Sequence, residues 1–150
     1  MNDRVKQSVH FFSFVLFLVK VYPYSQPHHL KNDLMTLRGL VQERLGHYND
    51  FLNRNHIGLE NIMAPHLLNL FSGLSEELTF RIWDLLVSED NSHRARISVA
   101  FTLLSYFETT KNLPIIPINQ FMEDVAKNIR TLPSNLAPST LLSRSAETYF

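Results

Sequence analysis

Between Arg94 and Phe107 the residues Ile97, Ala100, Phe101, Leu104 and Phe107 fall on one face of an α-helix, and no strand-like reading places them together. Spacing of this kind runs through most of the chain, while period-two alternation is scarce. That confines the 150 residues to helices packed on helices, and the length suits one domain with a single core.

Start and stop signals divide the chain. Pro23 to His29 reads as a loop, after which Asn32 or Asp33 caps a helix carrying Leu34, Leu37, Val41 and Leu45, closed by Gly46. A short helix from Tyr48 to Asn53 turns Phe51 and Leu52 inward, and His56-Ile57-Gly58 reverses the chain. Pro65 suits a first helical turn, predicting a helix from Ala64 to Phe71 that Ser72-Gly73 ends. Ser75 caps the next, with Glu76 and Glu77 at its positive end and Leu78, Ile82, Leu85 and Leu86 as a stripe that Trp83 extends. Asp90-Asn91-Ser92 is a turn or cap before the Arg94 helix, which reads as the clearest amphipathic helix in the chain. Beyond Pro114 and Pro117, Asn119 caps a helix with Phe121, Met122, Val125 and Ile129 inward, and Pro133 stops it; Ser139 to Phe150 forms a last helix. The expectation is an all-α bundle of seven or eight short helices.

The first twenty-two residues pose a separate question. Arg4 and Lys6 precede the apolar run from His10 to Val19, an order shared with secretory signals. No small-x-small cleavage pattern follows, and the run is shorter than the roughly 20 residues a membrane span requires. A buried core helix is the preferred reading; a cleaved signal, and hence a secreted helical protein, is the first alternative, and a membrane anchor the second.

Composition excludes several chemistries. Fourteen basic side chains balance fourteen acidic ones, and the interspersed charges give no footprint for nucleic acid. Without cysteine there is no disulfide, thiolate metal site or cysteine nucleophile. Of the seven histidines, His28 and His29 are adjacent and His47 and His56 are nine apart, so none has the i, i+4 partner of a helical zinc site and no metal is expected. Four glycines leave no G-x-S-x-G elbow and no phosphate-cradling loop, so no cofactor is expected. Glu76, Glu77, Asp84, Glu89 and Asp90 surround the only tryptophan and read as a solvated face. Arg81 and Asp84, three apart, are spaced to pair, at a few tenths of a kcal/mol if exposed; buried beside Trp83, the pair would fix how helices dock.

Phe71, the loop to Leu74-Ser75-Glu76-Glu77, the stretch Leu78-Thr79-Phe80-Arg81-Ile82-Trp83-Asp84-Leu85-Leu86, and the later Ala100-Phe101-Thr102-Leu103-Leu104 resemble the C-terminal half of the TBC domain, the all-α catalytic module of Rab GTPase-activating proteins. The resemblance extends from near Val9 to near Phe107, leaving 134–150 as a tail, so that 1–150 reads as a partial TBC-like domain. It makes Phe71, Arg81, Ile82, Trp83 and Asp84 a structural signature. Two positions depart from the family pattern: His66-Leu67 stands where a Trp-Phe pair is usual, and Asp90 where a glycine closes the tryptophan helix.

The resemblance also implies what to look for in catalysis. TBC domains insert an arginine from I-x-x-D-x-x-R and a glutamine from Y-x-Q into the bound GTPase; the arginine offsets charge on the transferred phosphoryl group and the glutamine orients water. The residues three after Asp3, Asp33, Asp50, Asp84, Asp90 and Asp124 are Lys6, Thr36, Asn53, Val87, His93 and Lys127, so D-x-x-R does not occur. Tyr24-Ser25-Gln26 fits Y-x-Q, but Pro27-His28-His29 follows instead of glycine-methionine, and it lies after the aromatic run instead of before it. It reads as a coincidental match. The implied partner is a Rab-type small GTPase, met in the cytoplasm or peripherally at endomembranes, and the isolated chain is expected to be catalytically incompetent. The rival is a helical interaction scaffold unrelated to GTPases.

Overall fold

A computed structural model describes residues 3–7, 22–109, 116–134 and 136. The apolar run from His10 to Val19 and the tail helix expected from Ser139 to Phe150 lie outside them. Within them the backbone is helical with no strand, as the spacing predicts: residues 3–7 are helical, and then come α1 (Pro27–Arg44), α2 (Gly46–Arg54), α3 (Leu59–Leu68), α4 (Glu76–Ser88), α5 (Ser92–Thr109) and α6 (Ile118–Thr131). None of the helices among the described residues is long and apolar enough to cross a membrane.

Helix α1 begins earlier than Asn32. Pro27 occupies its first turn, where a fixed φ favours the helix and the missing N–H costs nothing, and Gln26 is the N-cap without a side-chain cap bond. Asp33 is therefore not a cap; it lies inside α1, on the buried side with Leu34, Leu37, Leu40 and Val41. Leu45 is the cap residue between α1 and α2, and Gly46 opens α2. In α2 the buried aromatic is Tyr48, beside Leu52, while Phe51 stacks on Tyr48 from the solvent side.

Helix α3 starts at Leu59, so Pro65 sits inside it instead of at its head. Leu59, Met63 and Leu67, four apart, form its buried stripe. Its N-cap, Gly58, has no side chain to cap with, and a Cβ there would run into the Glu60 carboxylate, which pairs with Arg38 of α1 at 2.8 Å.

Serine 75 caps α4 as expected, its Oγ accepting from the Leu78 amide at 3.3 Å. Asn91 does the same for α5 by accepting from the Arg94 amide at 3.0 Å. Helix α5 is not one-faced: every residue from Ala95 to Leu104 is buried, because α1, α3, α4 and α6 all pack on it. Its hydroxyls escape desolvation by bonding within the helix, Ser98 to the Arg94 carbonyl and Thr102 to the Ser98 carbonyl. Pro117, not Asn119, is the N-cap of α6, which buries Phe121 and Val125 and stops before Pro133. Arg94 clamps that end by donating to the Ile129, Leu132 and Pro133 carbonyls.

Candidate functional site

Chain reversal between α3 and α4 sets the tryptophan's surroundings. The Phe71 amide donates to the His66 carbonyl at 2.8 Å and the Leu70 amide to the Leu67 carbonyl at 3.2 Å, the paired bonds of a Schellman ending. Glycine usually takes the left-handed position in such an ending. Here Leu70 has φ 49° and Phe71 φ 64°, two consecutive buried residues in a region that disfavours a Cβ by about 1–2 kcal/mol each. Helix α4 holds both. Trp83 Nε1 donates to the Leu70 carbonyl at 2.8 Å, and Thr79 Oγ1 donates to the Phe71 carbonyl at 3.1 Å. Residues 79 and 83 are one helical turn apart, so a single face of α4 secures the reversal.

The remaining signature residues divide by helical position. Ile82 and Phe71 are wholly buried, whereas Arg81 and Asp84 are exposed, and no ion pair joins those two among the described residues. The fold thus brings Phe71, Trp83 and Ile82 to the core side and leaves the charges in water.

A second cluster joins α1 to α5. Asp33 Oδ2 accepts from Tyr24 Oη at 2.7 Å and from Arg96 at 3.1 and 3.2 Å, while Oδ1 meets His93 Nε2 at 3.0 Å. Tyr24, Asp33 and Arg96 are all buried, and the Arg96 guanidinium lies over the Tyr24 ring, 5.3 Å from its centroid. Burial alone would raise the Asp33 carboxyl, but the His93 hydrogen bond, the Arg96 charge and the Tyr24 hydrogen bond outweigh it and hold it below the ordinary carboxylate range. Burial, reinforced by the Asp33 charge, pushes the Tyr24 hydroxyl far above its usual value. A tyrosine this reluctant to ionise, whose hydroxyl donates a hydrogen bond to a buried carboxylate, is a structural donor.

Tyr24 of the Y-x-Q match is therefore committed to Asp33, and Gln26, exposed, stands as the N-cap residue of α1. His93 and Arg96 were not singled out by sequence spacing, and Asp33 only as a possible helix cap. A signal existed: Asp33 shares the apolar register of Leu37, Leu40 and Val41, and Arg96 that of Val99, Ala100 and Leu103. A charge on a buried register implies a partner, but not which one.

Among the described residues, two buried polar atoms make no hydrogen bond, His66 Nδ1 and Glu108 Oε2. His66 packs against the Phe107 ring with centroids 6.0 Å apart, and desolvation lowers its pKa.

Comparison with known proteins adds the family. The model described as the Rab-GTPase-TBC domain matches residues 2–111, a span slightly wider than the stretch from Val9 to Phe107. No curated protein and no solved structure matches the chain.

Proposed function

Because the chain belongs to the Rab-GTPase-TBC domain family, we propose that it serves GTPase regulation as the part of such a domain that supports the catalytic fingers, not the part that carries them. The observation behind this reading is the family match over 2–111 in a sequence without D-x-x-R, whose one Y-x-Q match has its tyrosine hydroxyl bound to Asp33. Phe71, Ile82 and Trp83 act in this reading by fixing the α3–α4 reversal, and Arg81 and Asp84 by solvating the helix that does so. The partner is a GTP-loaded Rab, engaged in the cytoplasm and at the surface of endomembranes. A helical scaffold unrelated to GTPases has no observation in its favour once the family is shown.

Single-turnover GTP hydrolysis over a panel of Rab proteins tests the proposal. The chain alone leaves each Rab within about twofold of its intrinsic rate, whereas an arginine finger supplies roughly 10³–10⁵. Acceleration of about a hundredfold or more would show that this chain carries catalytic groups of its own.

A further inference from the structure

His66 stands at the head of a chain of contacts that ends at Trp83. Its imidazole packs on the Phe107 ring, centroids 6.0 Å apart, joining α3 to α5, and its Nδ1 is buried without a hydrogen-bond partner. An imidazolium needs an acceptor for each of its two N–H groups, and Nδ1 has none here. Two helices pack on α3, and their charges are directed elsewhere. On α1, Arg38 pairs with Glu60 and Asp33 with Arg96 and His93; on α5, Arg94 holds the end of α6 and Glu108 follows Phe107 in sequence. No charge on either helix offsets burial, which is the cause lowering the His66 pKa from its ordinary 6.5. The backbone of the same residue carries the reversal between α3 and α4. The His66 carbonyl accepts from the Phe71 amide at 2.8 Å, Leu70 and Phe71 both have positive φ, and the Leu70 carbonyl accepts from Trp83 Nε1 at 2.8 Å. Such backbones persist only while their surroundings over-determine them, so a shift in the last turn of α3 frees them.

We propose that protonation of His66 is an acid-operated release: the charged imidazole leaves Phe107, the last turn of α3 follows, and the Leu70–Phe71 reversal lets go of Trp83 while the other helices stay packed. Once open, the imidazole is solvated and takes a proton near 6.5; closed, it resists one. Opening is therefore favoured as pH falls below about 6.5 and gains nothing more below the closed-state pKa. Uptake of one proton limits the gain in the opening constant to about eightfold between pH 7 and 5.5. The release does not depend on the GTPase reading, and the two fail separately.

Amide hydrogen exchange on the full chain reads the release, with tryptophan emission beside it. Corrected for the intrinsic pH dependence of exchange, protection of the Leu70 and Phe71 amides should fall by up to about eightfold from pH 7 to 5.5. The buried amides from Ala95 to Leu104 should keep theirs, and emission from Trp83, the only tryptophan, should shift to the red over the same range. His66→Phe fills the place of the ring with a group that cannot titrate, and should remove both changes. Should that variant not fold, the order in which amides lose protection in the unaltered chain decides. The proposal is overturned by unchanged protection at Leu70 and Phe71, by an equal loss across α5, or by a pH response that His66→Phe retains.

Discussion

At the scale of single residues, the tryptophan matters for its N–H as much as for its ring. Trp83 Nε1 and Thr79 Oγ1 satisfy the carbonyls of Leu70 and Phe71, whose left-handed backbones persist only while something over-determines them. Trp83→Phe keeps most of the ring and removes the donor, so it should destabilise the fold by about 1–2 kcal/mol in urea unfolding. Arg81→Ala should stay within about 0.5 kcal/mol, and an equal loss would contradict the placement of Arg81 in water. His66 makes a different prediction. Its folded pKa is lowered by burial, so below about 6.5 the unfolded chain binds a proton that the folded chain resists, and stability falls with pH from there down through the folded pKa. The melting temperature should drop between pH 7 and 5.5, and His66→Leu should flatten that drop; an unchanged slope would assign it to another group.

Among the elements, α3 carries the clearest local conflict. Pro65 lies inside it, so the Asn61 carbonyl loses its intrahelical donor. Pro65 is exposed, and Pro65→Ala restores the bond at the cost of a more flexible unfolded chain, for a net gain of about 1 kcal/mol in unfolding free energy, read as a higher denaturant midpoint. A loss would mean that the proline ring shapes the Schellman ending that follows. This helix also marks the limit of reading elements from sequence. Starts written in side-chain chemistry were legible, as Ser75 before α4 shows. Those written in backbone alone were not: Gly58 opens α3 and Gln26-Pro27 opens α1 with no side-chain cap. Burial around α5 was hidden for a related reason. Ser98 and Thr102 look like surface residues, but their hydroxyls are satisfied by carbonyls four residues back, so they tolerate the core.

For the molecule as a whole, α5 is the post on which α1, α3, α4 and α6 lean, and Asp33 to Arg96 is the polar tie between it and α1. Those partners are 63 residues apart, and pairing over such a distance is a property of the packed fold that no local spacing encodes. The tie makes the fold acid-sensitive. Asp33 has a folded pKa below the roughly 3.9 of an unfolded chain, so its contribution is complete above about pH 4 and is lost as pH falls through the folded value. Asp33→Asn removes the carboxylate that pairs with the buried Arg96 guanidinium, which should cost about 3–5 kcal/mol at neutral pH and remove the acid dependence in that window. Replacing the whole cluster by apolar residues, Tyr24→Phe with Asp33→Leu and Arg96→Met, removes the buried Asp33 charge together with the Tyr24 and Arg96 donors that pair with it, while the half-exposed His93 returns to water. That triple variant should therefore regain most of what Asp33→Asn loses, measured by urea unfolding at pH 7. A triple variant no more stable than Asp33→Asn would mean that the cluster positions α1 on α5 through geometry that apolar packing cannot reproduce.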